Sequence, residues 1–250
     1  MLNGENGQIM LFESDAAFAE KVSCLNHSGD EAELFLSALP EDIMGHILQD
    51  KSILQALYDN LLSSKAWPRT VYAARLADGT EIGYVAVKGY ERPEPELQIE
   101  VVPEYQRKGY GEQMLFLALQ KIFCEMGASS VLYRTRPDNL ASIRLAERFR
   151  AVLEEPSCEA ESLLLRTYHI KDFIFAHEFC MNQKEQLLKD QKCGCFYCLK
   201  IFEPSQIEDW IDDTSGTAIC PYCDVDSVIG AYTGFPITTE FLKSMKNYWF

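Results

Sequence analysis

Apolar residues change their spacing along the chain, and each change marks a different kind of predicted element. In residues 13–66 they recur three or four positions apart, as in "EAELFLSAL" and "SILQALYDNLL", which predicts mostly helices. Ser14 could cap the first of these helices. A short strand, Ile9–Phe12, is predicted at the start of this part of the chain.

Strand-like patterns begin near residue 70. Two β-prone runs flank Ala77-Asp78-Gly79-Thr80, a sequence that favours the turn of a β-hairpin. Three further runs are predicted strands: "LQIEVV", "SVLYRT" and "SLLLRTYHI".

Two helices alternate with the later strands. The first runs from about Gly109 to Met126, and Gly127 is well placed to stop it. The second covers "DNLASIRLAERF" and is capped by Asp138 or Asn139. Helices, then a strand meander, then an alternation of helix and strand together predict an α/β (α+β) fold.

The chain length and a change in amino-acid composition near residue 170 predict two domains. A chain of 250 residues is long enough for two modest cores. We predict one domain at residues 1–170 and another at residues 171–250, where turns and cysteines become frequent. The second domain opens with a predicted connector helix, "KDFIFAHEFCMNQKEQLLKDQ".

The excess of acidic residues limits the kinds of partner that the chain is expected to bind. There are 23 basic and 38 acidic residues, a net charge of −15. Residues 1–170 carry 16 basic and 26 acidic side chains (net −10), and residues 171–250 carry 7 and 12 (net −5). No nucleic-acid partner is expected, because such binding needs Lys and Arg to neutralise phosphates. The same charge suits a cationic partner such as an amine.

The chain is predicted to be cytoplasmic and to have no membrane partner. No apolar run approaches the length of a membrane span. The N-terminal "MLNGENGQIM" lacks a basic segment followed by an apolar one, so no secretory signal is expected. Five of the nine cysteines lie between Cys193 and Cys223, a clustering that indicates metal binding more than disulfides in a cytosolic chain.

A glycine-rich turn joins a predicted strand to a predicted helix in "EVVPEYQRKGYGEQML". The first amide hydrogens of a helix lack partners within the helix, and with the helix dipole they form a site for an anion. Gly109 and Gly111 have no side chains, so the backbone can come within hydrogen-bonding distance of a phosphate. Arg107 and Lys108 add positive charge. The turn therefore predicts a site for phosphate or pyrophosphate.

The form of this turn resembles a known cofactor signature. It lacks the Gly-Lys-Ser/Thr of a P-loop and the third glycine of the dinucleotide fingerprint. "QRKGYGEQML" resembles the Gln/Arg-x-x-Gly-x-Gly/Ala acetyl-CoA signature of the GNAT superfamily of N-acetyltransferases. The strand ending "VVPEYQ" and the helix opening "DNLASIRL" fit the same family, as does the order of elements from about residue 70 to 168. The resemblance implies a mixed, splayed sheet flanked by helices.

The resemblance also implies how acetyl-CoA binds as a cosubstrate. Its pyrophosphate would lie on the amides of Gln106 to Gly111, and its pantetheine arm would pair with the strand backbone near Val101 and Val102. A backbone amide there would polarise the thioester carbonyl. Asn139 and Ser142 would lie along the arm. The predicted cofactor-binding residues are Val101, Val102, Gln106, Arg107, Lys108, Gly109, Tyr110, Gly111, Asn139 and Ser142.

A base is needed to deprotonate the attacking amine. In a strand, Glu96, Gln98 and Glu100 point to one face of the sheet. Glu100 is the nearest of them to the glycine turn and is the predicted catalytic base, acting directly or through water. The alternative is that Glu100 is an ordinary solvated carboxylate.

Two positions depart from the family pattern. Many relatives have a tyrosine where this chain has Ala146, and "FRAVLEE" lacks the usual Gly-Phe pair. The general acid is therefore absent or different, and water could protonate the leaving thiolate. Tyr105, Tyr110 and Tyr133 could substitute, although core or cofactor-lining positions are favoured for each.

Two Cys-x-x-Cys motifs predict a structural Zn²⁺ site. Cys195, Cys198, Cys220 and Cys223 supply four thiolates for a tetrahedral ion, which leaves no open position for metal chemistry. Twenty-one residues separate the motifs. Cys193 could replace Cys195 as a ligand, and a redox pair or buried thiols are the alternatives to a metal.

The cysteine segment also resembles a small family of bacterial cytoplasmic zinc-ribbon proteins with no defined activity. The resemblance implies a small zinc-ribbon-like domain after the acetyltransferase domain.

These features predict an acetyl-CoA-dependent N-acetyltransferase that moves an acetyl group to a primary amine by direct attack in a ternary complex. The alternative is a CoA-binding, catalytically weak protein whose zinc module mediates a protein interaction. A zinc-ribbon nucleic-acid binder is disfavoured by the net charge of −5 in residues 171–250. The acceptor is expected to be an amine-bearing small molecule or peptide, and a homodimer is the expected form of any self-association.

Overall fold

The computed structural model describes residues 9–14, 69–155 and 165–250. The predicted helices of residues 13–66 therefore lie outside the described residues, apart from Glu13 and Ser14, which belong to a strand (Met10–Ser14) and not to a helix. Within the described ranges, no helix has both the length and the apolar character needed to cross a lipid bilayer.

The chain divides into two compact units. The first unit comprises Met1–Lys121 and Ser130–Ile170, and the second comprises Ile122–Ser129 and Lys171–Phe250. That each unit folds on its own stays a prediction.

A seven-stranded sheet forms the first unit, with the strand order β1-β2-β3-β4-β5-β7-β6. The strands are β1 (Met10–Ser14), β2 (Arg69–Arg75), β3 (Glu81–Lys88), β4 (Glu96–Val101), β5 (Ser130–Thr135), β6 (Val152–Leu153) and β7 (Arg166–Lys171). Strands β1 to β4 form an antiparallel meander, whereas β4 and β5 pair in parallel. The prediction of a mixed sheet is confirmed, and β6 was not predicted.

Strand β3 is the buried strand of the meander. Residues Ile82 to Val87 are all buried, so both faces of this strand are covered. The hairpin predicted before it is confirmed: Gly79 has φ +86°, and the Asp78 carboxylate accepts a hydrogen bond of 2.9 Å from the Thr80 N–H.

Helix α1 (Tyr110–Gln120) follows β4 and the glycine turn. Its last predicted residues form a wider π-helical turn, Lys121–Glu125, and Gly127 has φ +72°, as its predicted role as a stop requires. Helix α2 (Leu140–Arg148) follows β5.

Asn139, and not Asp138, caps α2. Its side-chain oxygen accepts a hydrogen bond of 3.1 Å from the Ser142 N–H, whereas Asp138 pairs with Arg136. Asn139→Ala is expected to lower the free energy of unfolding by about 1 kcal/mol, because a donor at the helix start loses its partner. Urea titration measures this, with Asn139→Asp as the control that keeps an acceptor. Equal losses in both variants would contradict the capping role.

The second unit contains two small sheets and three short helices. Strands β8 (Cys193–Cys195), β9 (Ile201–Phe202) and β12 (Val228–Gly230) form a sheet in the order β12-β8-β9, and β10 (Trp210–Ile211) pairs with β11 (Thr217–Ala218). The helices are α3 (Asp172–Phe175), α4 (Lys184–Leu187) and α5 (Thr239–Trp249). Helix α5 was not predicted.

The predicted connector helix is broken between α3 and α4. Asn182 has φ +56°, a left-handed conformation that interrupts a right-handed helix. Its N–H donates to the Thr217 hydroxyl at 2.8 Å, and its side-chain oxygen accepts from the Ser215 N–H at 3.0 Å. These long-range hydrogen bonds stabilise the break.

Candidate cofactor cleft and cysteine centre

The sheet splays open between β4 and β5. Their pairing covers only two positions, Glu96 with Leu132 and Leu97 with Tyr133. Strand β4 continues beyond this register, from Gln98 to Val101. The ladder between the two parallel strands thus ends before their carboxyl ends, which leaves a gap between them.

The two faces of β4 differ in chemistry. Val101 lies on the α1 side, since its Cγ2 is 3.9 Å from the position of a Cβ built on Gly111. Side chains alternate along a strand, so Gln98 and Glu100 lie on the opposite face. Tyr133 contacts Ser142 of α2 on its own side of the gap.

Backbone hydrogen bonds show which residues of β4 face the gap. The Val102 N–H donates to the Ile82 carbonyl at 2.8 Å, and the Val102 carbonyl accepts from the Tyr105 N–H at 2.8 Å. Both backbone groups of Val102 are thus engaged outside the gap. Along a strand, the N–H and C=O groups of successive residues point alternately to the two neighbouring strands. The N–H of Val102 points to β3, so the N–H and C=O groups of Ile99 and Val101 point toward β5.

The backbone groups of Ile99 thus face the gap, and the cofactor-binding role of Val102 stays a prediction. The direction of the Ile99 backbone depends on the strand register, which a single sequence does not contain. At Val101 the carbonyl accepts a hydrogen bond of 2.9 Å from the Gln106 side-chain amide, so the predicted residues Gln106 and Val101 are in direct contact.

The glycine turn is exposed, as an anion site requires. Residues 106–109 are all exposed, and Tyr110 behind them is buried. Arg107 (φ +59°) and Gly109 (φ +79°) are both left-handed, a feature of the backbone nests whose successive N–H groups bind anions. Among the described residues, no side chain caps the start of α1. The first amides of α1 are therefore available to an anion.

The basic residues of the turn lie near its aromatic residues. The Lys108 ammonium is 5.2 Å from the centre of the Tyr105 ring, a cation–π contact, and the Tyr105 and Tyr110 rings are 6.2 Å apart. Arg107 is exposed beside them. Positive charge is thus concentrated at this turn in an acidic protein.

Asn139 and Ser142 meet at the start of α2. The Asn139 cap binds the Ser142 N–H, and the Ser142 hydroxyl lies 2.8 Å from the Tyr133 hydroxyl. Burial raises the pKa of Tyr133, although the Ser142 hydrogen bond opposes the shift. Ala146, where relatives have a tyrosine, is fully buried one turn further along.

Glu100 belongs to a hydrogen-bonded group on the face opposite α1. Its Oε1 accepts from the Tyr84 hydroxyl at 2.7 Å and from the Gln98 side-chain amide at 3.0 Å. Glu96, on the same face, instead pairs with Lys88 at 3.4 Å and with Arg134 at 2.9 Å. The two carboxylates are therefore held by different partners.

The four predicted cysteines come together in the second unit. The sulfurs of Cys195, Cys198, Cys220 and Cys223 all lie within 4.8 Å of one another. The Sγ–Sγ distance is 3.7 Å for Cys195–Cys223 and 3.7 Å for Cys198–Cys220. A disulfide needs about 2.05 Å. Zn–S bonds of about 2.3 Å in a tetrahedron place sulfurs about 3.8 Å apart, so the spacing fits zinc.

The two Cys-x-x-Cys motifs adopt the same turn. In each, the residue after the second cysteine is left-handed: Leu199 has φ +65° and Asp224 has φ +59°. Its N–H donates to the carbonyl of the first cysteine, at 2.8 Å to Cys195 and 3.0 Å to Cys220. Two copies of one turn thus present four sulfurs to a common centre.

Cys193 does not belong to the cluster. It is fully buried in β8, and its sulfur lies 3.4 Å from the Phe202 carbonyl. Burial raises the pKa of its thiol to about 12. The structure therefore groups Cys195, and not Cys193, with the other three cysteines.

Burial and hydrogen bonds shift the pKa values of three of the four cluster thiols. Burial raises the pKa of Cys220 to about 11 and raises that of Cys195 further. At Cys198, burial also favours a higher pKa. Hydrogen bonds with the Lys200 N–H and with neighbouring thiols together have the larger effect, so the pKa of Cys198 is lowered. A thiol must lose its proton to bind a metal ion, so a bound cation would displace the protons of Cys195 and Cys220.

Comparison with known proteins bears on the first unit. The acetyltransferase (GNAT) domain model matches residues 27–152, half of the chain. No curated protein matches. Solved structures that match include spermidine N-acetyltransferase from Vibrio cholerae in complex with CoA and spermine, 18% identical, with a TM-score of 0.43 over 67% of this chain and 98% of that one.

A dodecameric structure of the same Vibrio cholerae enzyme matches with 18% identity and a TM-score of 0.46, over 68% of this chain and 98% of that one. With scores this low, the assignment rests on the family match and on the mixed sheet. The chain belongs to the GNAT family of acetyltransferases.

Proposed function

We propose that this protein transfers an acetyl group from acetyl-CoA to a primary amine by direct attack in a ternary complex. The observation that carries the proposal is the gap between β4 and β5, which opens beyond Leu97 and Tyr133 and lies next to the exposed glycine turn. Such a gap lets an extended ligand add to a strand edge while its anionic end reaches a helix start.

Each part of the cleft has a role in this proposal. Amides at the start of α1, with Arg107 and Lys108, hold the diphosphate of acetyl-CoA. The backbone of Ile99 and Val101 pairs with the pantetheine arm, and an amide there polarises the thioester carbonyl. Glu100 accepts the proton of the attacking amine, directly or through water.

We also propose that Cys195, Cys198, Cys220 and Cys223 hold a structural Zn²⁺ ion in a zinc-ribbon-like module. Sulfur spacings of 3.7 Å match a tetrahedral ion, and four protein ligands leave no position for a substrate. Bound zinc would supply folding energy to a unit whose strands are only two or three residues long.

A second candidate function is CoA binding with little turnover. The observation that favours it is Ala146, which is fully buried and leaves α2 without a hydroxyl at the position of the family's tyrosine. In this case the zinc module would recruit a protein partner. Calorimetry detects acetyl-CoA binding in both cases, but only the enzyme releases thiol in the presence of an amine.

The acceptor is proposed to be cationic, because the net charge of the chain is −15. A panel of polyamines, aminoglycosides, lysine and peptides with free N-termini covers this class. Spermine, bound in the Vibrio cholerae structure, is one member of the panel. Free-thiol release from acetyl-CoA measures turnover for each. No heat of binding with acetyl-CoA would overturn the cofactor site.

Glu100→Gln is expected to lower kcat by about 10²- to 10⁴-fold, because the amine loses its base. The Kd for acetyl-CoA should not change, since the diphosphate site lies at the glycine turn. Glu104→Gln is the matched control, an exposed carboxylate just past the same strand. Full activity in Glu100→Gln would show that another group accepts the proton.

A further inference from the structure

The hydrogen bonds around Glu100 form a closed triangle. The Tyr84 hydroxyl lies 2.7 Å from Glu100 Oε1, Gln98 Nε2 lies 3.0 Å from the same oxygen, and Gln98 Nε2 lies 2.8 Å from the Tyr84 hydroxyl. Each of the three side chains contacts the other two.

The hydrogens of the Gln98 amide and the Tyr84 hydroxyl account for all three contacts. The Gln98 amide has two hydrogens, one for the Tyr84 oxygen and one for Glu100. The Tyr84 oxygen already accepts from Gln98, so its own hydrogen goes to Glu100. Two donors therefore converge on Oε1, an arrangement that suits an ionised carboxylate.

The triangle is anchored in the rigid part of the sheet. Tyr84 of β3 is directly opposite Glu100 of β4, and Ala86 is opposite Gln98. Tyr84 is buried in a cluster with Val71 and Ala86. A buried ring in a paired strand has little freedom, so its hydroxyl is a fixed point for the carboxylate.

Glu100 has a particular need for such an anchor. It stands on the part of β4 that runs beyond the last pair with β5, Leu97 with Tyr133. That part of the strand is supported on its β3 side, the side from which Tyr84 donates. The donors thus fix the carboxylate at the edge of the gap without closing the gap.

We propose that Tyr84 and Gln98 are positioning residues that orient the Glu100 carboxylate to receive the proton of the amine. This inference rests on the proposed function. Both donors bind Oε1, so they limit the rotation of the carboxylate. A misplaced base loses much of its efficiency, so both donors contribute to kcat and not to cofactor binding.

The test compares Tyr84→Phe and Gln98→Leu with the wild-type full-length protein, using thiol release from acetyl-CoA with the best amine of the panel. Each variant is expected to lower kcat about tenfold, the effect of one hydrogen bond to a charged group. The KM and Kd for acetyl-CoA should stay within twofold of wild type. A general loss of structure would change these constants and the melting temperature as well.

A double-mutant cycle shows whether the effect passes through Glu100. In a Glu100→Gln background, Tyr84→Phe is expected to change kcat by less than twofold, because the oriented group has gone. Tyr168→Phe, another buried tyrosine of the same sheet, is the matched control and should retain wild-type kcat. Gln98→Leu provides the same cycle should Tyr84→Phe not fold.

The outcomes separate this inference from the proposed function. Wild-type protein that turns over no amine overturns the proposed function, and the positioning role with it. Wild-type turnover combined with normal kcat in Tyr84→Phe and Gln98→Leu overturns the positioning role alone. So does a tenfold loss that persists in the Glu100→Gln background.

Discussion

Removal of the proposed zinc ion by a chelator is expected to unfold the second unit, with a loss of stability of about 10 kcal/mol or more. Cys195 and Cys220 are fully buried in the core of this unit, packed with residues such as Phe202 and Val228. Without the ion, this core keeps a polar centre of four thiols that are not cross-linked. The loss would exceed the stability of many small domains.

Metal analysis and circular dichroism measure this effect. One zinc per chain is expected, and Cys220→Ser should lose both the metal and the folded signal of the unit. Cys193→Ala is the matched control, a buried cysteine beside the centre that should keep its zinc. Zinc retained in Cys220→Ser, or lost in Cys193→Ala, would contradict the ligand set.

Lowering the pH is expected to weaken zinc binding, as a chelator does. The pKa of Cys220 without metal is about 11, raised by burial, and each ligand must lose its proton to bind zinc. Protons therefore compete with the ion, and zinc affinity falls as pH falls.

Gly111→Asp is expected to weaken acetyl-CoA binding by at least about 100-fold while leaving the fold as stable as wild type or more so. Gly111 lies in the first turn of α1, where a carboxylate interacts favourably with the helix dipole. The same carboxylate repels the diphosphate and competes for the amides that would bind it. Stability and binding should thus change in opposite directions.

Gly111→Ala is the control for this variant. A Cβ at this position meets only Leu145 at 3.8 Å and Val101 at 3.9 Å, which are ordinary van der Waals distances. The family signature also accepts alanine there, so Gly111→Ala should bind acetyl-CoA within a few-fold of wild type. Calorimetry and thermal melting measure both quantities. Tight acetyl-CoA binding by Gly111→Asp would place the diphosphate elsewhere.

Several local features followed from the sequence because their physical causes are local. Strand β5 was predicted with its observed bounds, and Gly79 and Gly127 were identified because glycine tolerates a positive φ. Asn139 was a candidate cap because an amide oxygen can accept from the third residue of a helix. The cysteine motifs were recognisable because each turn is closed by hydrogen bonds within six residues.

Other features depended on contacts between distant parts of the chain. The break at Asn182 is stabilised by Ser215 and Thr217, which no local pattern predicts. The direction of the Ile99 backbone toward the gap is visible only from the pairing of β3 with β4. The hydrogen bond between Tyr84 and Glu100 joins residues sixteen positions apart.

The sequence by itself determined strands β2 to β5, the glycine turn and the two cysteine motifs, since each is encoded within a few consecutive residues. Only the tertiary structure decided that β4 and β5 separate after Leu97, that Cys195 and not Cys193 joins the cluster, and that Tyr84 holds Glu100. Strand register and the packing of distant segments set these features, and both arise from the balance of contacts over the folded chain.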